Sequence, residues 1–189
     1  EARFEERPLP RVSIIDMREQ LKKGNRLALS LELREDLSQC LKKGEQAMLF
    51  LNRRGYAGFV SCRSCGHVMK CPHCDVSLSE HNGRKLICHY CGYETVKPDK
   101  CPVCSSPYIG GFKAGTQQIQ QVVEKEFPEA RVLRMDYDTT RNKGSYEQIL
   151  SSFAAHEADI LVGTQMIVKG HDFPDVTLVG AVAADLSLN

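Results

Sequence analysis

The sequence lacks an excess of either charge: 25 Lys and Arg residues face 24 Asp and Glu residues, and the formal net charge is +1. This balance excludes a protein that binds nucleic acid through its bulk charge, so contacts with DNA would have to come from local patches. No apolar run is long enough to cross a bilayer, and we expect no membrane partner. The first ten residues, EARFEERPLP, lack the pattern of an export signal. An initiator Met is also missing, which leads us to expect a fragment of a longer intracellular protein.

The nine cysteines are many for a chain of 189 residues. The odd count and the missing export signal argue against a disulfide framework. Eight of the nine form C-x-x-C units, a spacing that lets two thiolates reach adjacent corners of a zinc tetrahedron. A redox dithiol would need only one such unit. The units therefore predict two structural zinc ions, each held by four thiolates without an open position for water. The four units are Cys62/Cys65, Cys71/Cys74, Cys88/Cys91 and Cys101/Cys104.

The pairing of these units on two metal ions is open from spacing alone. The Asn82-Gly83 dipeptide between units two and three predicts a hairpin, across which a zinc ribbon brings two C-x-x-C units together. This favours nested pairing over sequential pairing and over a cross-braced arrangement. His67, His73 and His89 lie beside ligand positions, but eight cysteines already fill two tetrahedra, so we interpret these histidines as bystanders. Nested pairing gives one site of Cys62, Cys65, Cys101 and Cys104, and a second of Cys71, Cys74, Cys88 and Cys91.

Outside the cysteine-rich segment, short apolar runs alternate with amphipathic segments. Cys40 lies on the apolar face of a helix that Ser30 is expected to cap, and we predict a core residue there. Ser145 and Gln148 have the spacing of a capping box. The alternation predicts an α/β fold with a parallel, doubly wound sheet of five strands, interrupted by an insert from about Phe59 to Gly111. The predicted strands are 11–16, 47–51, 131–135, 159–163 and 176–184, and the predicted helices are 30–43, 116–127 and 145–158, with a short one after 163.

Three further segments begin where predicted strands end, at the edge where open α/β sheets bind ligands. They are FLNRRGY (50–56), RMDYDTT (134–140) and ILVGTQMIVKGHDFPDVTLV (160–179). The string GTQM-x-x-KGHDFPDV resembles motif V of superfamily 2 helicases, and LFLNRRGY resembles the start of their second lobe. Together with the eight-cysteine insert and the GTQQIQQ segment, in this order, they resemble the PriA family of replication-restart DNA helicases (primosomal protein N′). The resemblance runs from about Pro10 to Asn189.

This resemblance implies a RecA-like, parallel-sheet helicase lobe carrying a small double zinc-ribbon-like module, with nested zinc pairing. Residues 1–58 would form a linker and the first part of the second helicase lobe, and 59–112 the zinc insert. Residues 113–189 would continue the lobe and stop before the last helicase motif. The implied partners are forked and single-stranded DNA, single-stranded DNA-binding protein, and primosome or helicase-loader proteins. The implied location is the bacterial cytoplasm, in association with the nucleoid.

The family's activity implies roles for particular residues. Its members are ATP-dependent 3′-to-5′ DNA helicases that recognise stalled or repaired replication forks and promote restart, using ATP and Mg²⁺. On the matching positions, Gly170 and Asp172 would face the nucleotide and couple its hydrolysis to lobe movement. The sequence has no G-x-x-x-x-G-K-[ST] phosphate loop and no acidic magnesium motif, so we expect the isolated chain to be inactive. DNA contacts would come from Arg53, Arg54, Thr164, Gln165 and Lys169.

An alternative is a non-enzymatic zinc module for docking DNA or protein on an α/β scaffold. Basic residues and tyrosines on the insert, such as Arg63, Lys70 and Tyr90, could serve such docking. A merely solvated surface agrees with the same composition. A pure docking module, however, has no reason to carry the motif V string.

Overall fold

The structure, a computed structural model, describes residues 9–51, 59–82, 84–111, 115–164 and 172–182. These residues form four helices and nine strands. The helices are α1 (Met17–Lys22), α2 (Leu31–Lys42), α3 (Thr116–Glu126) and α4 (Ser145–Ala154). The strands are β1 (Gln46–Leu51), β2 (Val60–Cys62), β3 (Ser79–His81), β4 (Lys85–Ile87), β5 (Glu94–Val96), β6 (Ile109–Gly111), β7 (Val132–Met135), β8 (Ile160–Gly163) and β9 (Val176–Val182). None of the described helices has both the length and the apolar character of a bilayer span.

A parallel sheet with strand order β7-β8-β1-β9 forms the main body. Helix α4 lies between β7 and β8 in sequence and makes the crossover that parallel neighbours need. Leu49 in β1 lies opposite Val162 in β8 and opposite Gly180 in β9. The α/β class with a parallel sheet is therefore confirmed.

Helices cover both faces of this sheet, which explains why β1 and β8 are continuous apolar runs in the sequence. Leu49 and Val162 lie in one core with side chains of α2 and α3. Met48 and Leu161, one residue earlier in each strand, contact the core that α4 forms on the opposite face. Successive residues of a strand point to opposite faces, so each run has to be apolar throughout.

Helix α2 agrees with its sequence pattern. The Ser30 hydroxyl accepts a hydrogen bond from the Leu33 N–H at 3.0 Å, as expected of an N-cap. Leu37 and Cys40 are buried, and the Cys40 thiol donates to the carbonyl of Gln46. The prediction of Cys40 as a core residue is confirmed.

The predicted strand at 11–16 is wrong. Residues 11–15 form no strand, and the side chains of Val12 and Ile14 are 80% and 95% exposed. Asp16 instead caps α1 by accepting a hydrogen bond from the Arg18 N–H. β-Branched residues favour extended backbone, but a strand also requires a paired neighbour, and this segment has none among the described residues. The described part of the sheet consequently has four strands rather than five.

The predicted capping box at Ser145 is also wrong. Gly144, with φ of 86°, is the N-cap of α4, and Ser145 is the first helical residue. The N–H of Gln148 donates to the Gly144 carbonyl at 3.0 Å and so begins the helix from the glycine. A positive φ at the cap is accessible to glycine without steric cost, and this allowed the start to shift by one residue. The predicted short helix after residue 163 lies mostly outside the described residues.

The cysteine-rich segment forms two small antiparallel sheets, β2-β6 and β3-β4-β5. Asn82, with φ of 50°, lies in the turn between β3 and β4, so the predicted hairpin is confirmed. The shared core is small, and two of its six buried side chains are the cysteines Cys71 and Cys88. Such a core is too small to stabilise the segment without a cross-link. The other buried members are Val60, Met69, Leu78 and Leu86.

Two arginines join this segment to the main body. The Arg26 guanidinium donates to the Tyr108 hydroxyl at 2.9 Å and lies over its ring, 5.4 Å from the centroid. The Arg63 side chain donates to the Arg26 carbonyl at 3.2 Å. The boundaries expected near residues 58 and 112 remain a prediction, because 52–58 and 112–114 lie outside the described residues.

Candidate metal centres and sheet-edge residues

Each C-x-x-C unit folds into the same tight turn, here called a knuckle. In the first, the Gly66 N–H donates to the Cys62 carbonyl, and the Cys62 N–H donates to the His67 carbonyl, both at 2.8 Å. The other three knuckles repeat both bonds. The residue after the second cysteine has a positive φ in every knuckle, which closes the turn. We did not predict this feature, although two glycines at this position were a signal for it. The four residues are Gly66, Asp75, Gly92 and Ser105.

The knuckles meet in nested order. The first joins the fourth because β2 pairs with β6, and the second joins the third across the β3-β4 hairpin. Within each group, the four Sγ atoms all lie within 4.8 Å of one another. One group is Cys62, Cys65, Cys101 and Cys104, and the other is Cys71, Cys74, Cys88 and Cys91.

The sulfur separations match a zinc tetrahedron. Sγ of Cys62 lies 3.6 Å from Sγ of Cys104, and Sγ of Cys71 lies 3.6 Å from Sγ of Cys91. Four thiolates bound to zinc at about 2.3 Å are separated by about 3.8 Å at the tetrahedral angle. A disulfide would require about 2 Å. Both groups therefore fit structural Zn²⁺ sites whose ligands all come from the protein.

The electrostatics of the second group also call for a cation. The backbone N–H of Cys91 stabilises the thiolate of Cys88 and lowers its pKa to about 7, against the effect of burial. A hydrogen bond to Cys91, followed by burial and a hydrogen bond to Cys71, raises the pKa of Cys74 to about 12. Ionised sulfurs repel a further negative charge at this distance. A divalent cation removes the conflict, because it stabilises all four thiolates at once.

The first group behaves in the same way. Burial acts to raise the pKa of Cys62, but hydrogen bonds from the N–H groups of Cys65 and Ser64 and from neighbouring cysteines outweigh it and lower the pKa to about 6. The Ser106 N–H lowers the pKa of Cys104, but burial and hydrogen bonds to neighbouring cysteines raise it to about 12. The leading cysteine of every knuckle is at least 98% buried, so zinc there would be shielded from solvent on the inner side.

The histidines lie outside both groups of sulfurs. The His73 ring packs edge-on against Tyr93, with centroids 5.2 Å apart. His89 contacts His81 through the Nε2 atoms of both rings, which are 3.1 Å apart. No motif in the sequence connects His81 with His89, because the two residues meet only through the β3-β4 hairpin.

Asp136, in the RMDYDTT segment, organises the carboxyl edge of the sheet just after β7. One carboxylate oxygen accepts the N–H groups of Asp138 and Thr139, each at 3.0 Å. The other accepts the hydroxyl of Thr116 at the start of α3, and Arg134 Nε lies 3.3 Å from it. Burial raises the pKa of Asp136, but the Thr116 hydroxyl, the Thr139 N–H and Arg134 outweigh it and leave the pKa below its ordinary value. Asp136 thus fixes α3 to β7 as a carboxylate.

Of the residues expected to contact DNA or nucleotide, the structure describes two. The Thr164 N–H donates to the Met135 carbonyl at 3.3 Å, which places Thr164 at the carboxyl edge beside Asp136. Asp172 is exposed, and the next residue, Phe173, packs edge-on against Phe153 just before β9 begins. By its chain position Asp172 lies on the approach to the amino end of β9. Arg53, Arg54, Gln165, Lys169 and Gly170 lie outside the described residues.

Comparison with known proteins finds similarity to the PriA family, both by a family model and by relatives matched over nearly the whole chain. The family model of the PriA DNA helicase Cys-rich region matches residues 71–95, which include all four cysteines of the second group. The chain is 54% identical to the replication restart protein PriA of Bacillus subtilis (strain 168) over 188 residues, 99% of this chain and 23% of that protein. It is 52% identical over 192 residues to replication restart protein PriA of Synechocystis sp., and the match again covers 99% of this chain and 23% of that protein. It is 42% identical to the protein of the same name from Chlamydia muridarum over 182 residues, which are 94% of this chain and 24% of that protein. The chain spans about a quarter of the length of these curated relatives.

Proposed function

Because the chain belongs to the PriA family, we propose that it is the part of a replication-restart helicase that combines its second lobe with a zinc-binding insert. One observation carries the proposal: 54% identity extends over 99% of the chain, so it covers the parallel sheet as well as the cysteine-rich segment. A free-standing zinc module would account for the similarity of the cysteine-rich segment but not for that of the parallel sheet.

In this proposal the complete protein is an ATP-dependent 3′-to-5′ DNA helicase of the bacterial cytoplasm. It recognises stalled or repaired forks, works with single-stranded DNA-binding protein and loader proteins, and hydrolyses ATP with Mg²⁺ between two lobes. The present chain supplies one wall of that cleft. Its lack of a phosphate loop means that the other lobe provides the nucleotide cradle.

Within this wall the proposed roles are divided along the motif V segment. Thr164, Gln165 and Lys169, with Arg53 and Arg54, contact the DNA strand. Gly170 and Asp172 respond to the nucleotide. The position of Thr164 at the carboxyl edge of the sheet supports its proposed contact with DNA, because that edge is where ligands of parallel sheets bind.

The two zinc sites have a structural role in the proposal. They hold four knuckles around a core of six buried side chains, and the Arg26–Tyr108 contact fixes the insert to the lobe. Chelation should release two zinc ions per chain and unfold the insert, while the lobe keeps its helical circular dichroism signal. Release of a single ion would contradict the eight-ligand assignment.

The motor role can be tested by changing Asp172 to Ala in the complete protein. We expect DNA-stimulated ATP hydrolysis and unwinding to fall at least about tenfold, with fork binding retained. Asp175→Ala is the matched control, since Asp175 is an exposed carboxylate three residues later that pairs with His156. It should leave both activities unchanged.

Two results would contradict the proposal. If Asp172→Ala unwinds forks as well as the parent protein does, Asp172 does not couple hydrolysis to movement. If the isolated chain hydrolyses ATP rapidly, the cleft does not need a second lobe. Fork binding without ATP-dependent unwinding in the complete parent protein would favour the docking-module alternative.

A further inference from the structure

We propose that His81 and His89 form a third metal site, which is open to solvent and separate from the two groups of cysteines. The ligand is a single divalent ion of the zinc type, bound by the two Nε2 atoms and completed by water. The proposal does not depend on the helicase assignment.

The separation of the two rings carries the inference. Their Nε2 atoms are 3.1 Å apart. Two imidazole nitrogens that both bind zinc at about 2.0–2.1 Å and lie 3.1 Å apart subtend about 100° at the ion, close to the tetrahedral angle.

The ring directions agree with this geometry. The ring centroids are 5.0 Å apart and the planes are inclined by 64°. Rings that radiate from one ion at that angle have centroids about 5 Å apart, since each centroid lies about 3.2 Å from the metal. The spacing of the two rings therefore fits two Nε2 atoms that bind one ion.

Both ligands are held by elements that already have a fixed shape. His81 ends β3, where it pairs with Lys85 across the hairpin. His89 lies inside the third knuckle, between two cysteines of the second group. Preorganised ligands bind a metal without the loss of conformational entropy that the ordering of a loop would cause.

The site differs chemically from the cysteine groups. Imidazole nitrogens are neutral ligands, and His89 is exposed, so an ion here keeps open positions for water. Two neutral ligands bind far less tightly than four thiolates, and the third ion should therefore exchange while the other two stay. In the metal-bound form both rings carry their proton on Nδ1, because both Nε2 lone pairs are used.

The test begins with the chain already holding two tightly bound zinc ions. Equilibrium dialysis against added zinc chloride should reveal a third ion, and His89→Gln or His81→Gln should weaken its binding at least about tenfold. His73→Gln is the matched control, because His73 also lies between the two cysteines of a knuckle but packs against Tyr93. It should still bind three ions.

Saturation of the parent chain at two ions overturns the proposal, as does full retention of the third ion in both His81→Gln and His89→Gln. A nuclear magnetic resonance measurement of imidazole nitrogens in the parent chain decides the matter without any substitution. Added zinc should shift the Nε2 signals of His81 and His89 and leave those of His73 unchanged. A third ion that binds without these shifts lies elsewhere, and the assignment is then wrong.

Discussion

Gly180 in β9 lies close to helix α2 and to the neighbouring strand β1, and replacing it by Ala tests that packing. A Cβ at residue 180 would lie 2.8 Å from Cδ2 of Leu49 and 2.9 Å from Cδ1 of Leu33. Leu49 is fully buried in the neighbouring strand, and Leu33 projects from α2 onto β9. Leu49 cannot move without disturbing a packed core, and Leu33 packs against the same core.

The expected cost follows from two opposing effects. Adding a methyl group to a packed core costs about 1–3 kcal/mol. Replacing glycine by alanine lowers the conformational entropy of the unfolded chain, which stabilises the folded state by about 0.4–1 kcal/mol. We therefore expect Gly180→Ala to lower the free energy of unfolding by about 1–2 kcal/mol, or the melting temperature by about 2–8 °C for a chain of this size.

The measurement is equilibrium urea unfolding followed by far-ultraviolet circular dichroism, with zinc present throughout. Gly110→Ala is the control, because among the described residues its new Cβ would meet only Lys97 Nζ, at 3.8 Å. Its effect should stay within about 0.5 kcal/mol. Leu33→Ala removes two of the close contacts. The double variant should therefore lose less free energy of unfolding than the two single variants lose together, by at least about 0.5 kcal/mol. If Gly180→Ala is as stable as the parent and shows no coupling to Leu33, α2 does not pack on β9 as described.

Three further predictions concern stability and metal content. Cys40→Ala should keep two zinc ions per chain by mass spectrometry, whereas Cys88→Ser should lose one, because only Cys88 belongs to a sulfur group. Asp136 has a pKa below its ordinary value in the folded chain, so its stabilisation is complete above about pH 4 and is lost as pH falls through the folded pKa. Urea midpoints from pH 6 to 3 should therefore fall more steeply in the parent than in Asp136→Asn, and equal slopes would contradict this role. Asp159 accepts both the backbone N–H and the guanidinium of Arg131. Asp159→Ala should therefore lower the free energy of unfolding by about 1–2 kcal/mol, and Arg131→Ala should lower it by less, because it leaves the backbone hydrogen bond in place. The reverse order in urea unfolding would refute the assignment.

Short-range patterns were read correctly from the sequence. The apolar runs at β1 and β8, the Ser30 cap and the Asn82 turn depend on neighbours within a few residues, and the structure has all of them. The strand predicted at 11–16 failed because β-branched residues favour extended backbone but supply no pairing partner. At α4, Ser145 and Gln148 have the spacing of a capping box, yet Gly144 is the N-cap, because glycine adopts a positive φ without steric cost.

The candidate site divides in the same way. The sequence by itself determined that eight cysteines form four knuckles, because a C-x-x-C turn is closed by hydrogen bonds within six consecutive residues. Only the tertiary structure decided which knuckles share an ion, since Cys62 reaches Cys104 through the pairing of β2 with β6. The contact of His81 with His89 and that of Arg26 with Tyr108 likewise depend on segments that meet after folding. Local turns follow from the sterics and hydrogen bonds of adjacent residues, whereas contacts between distant segments depend on how the strands of the whole chain pair.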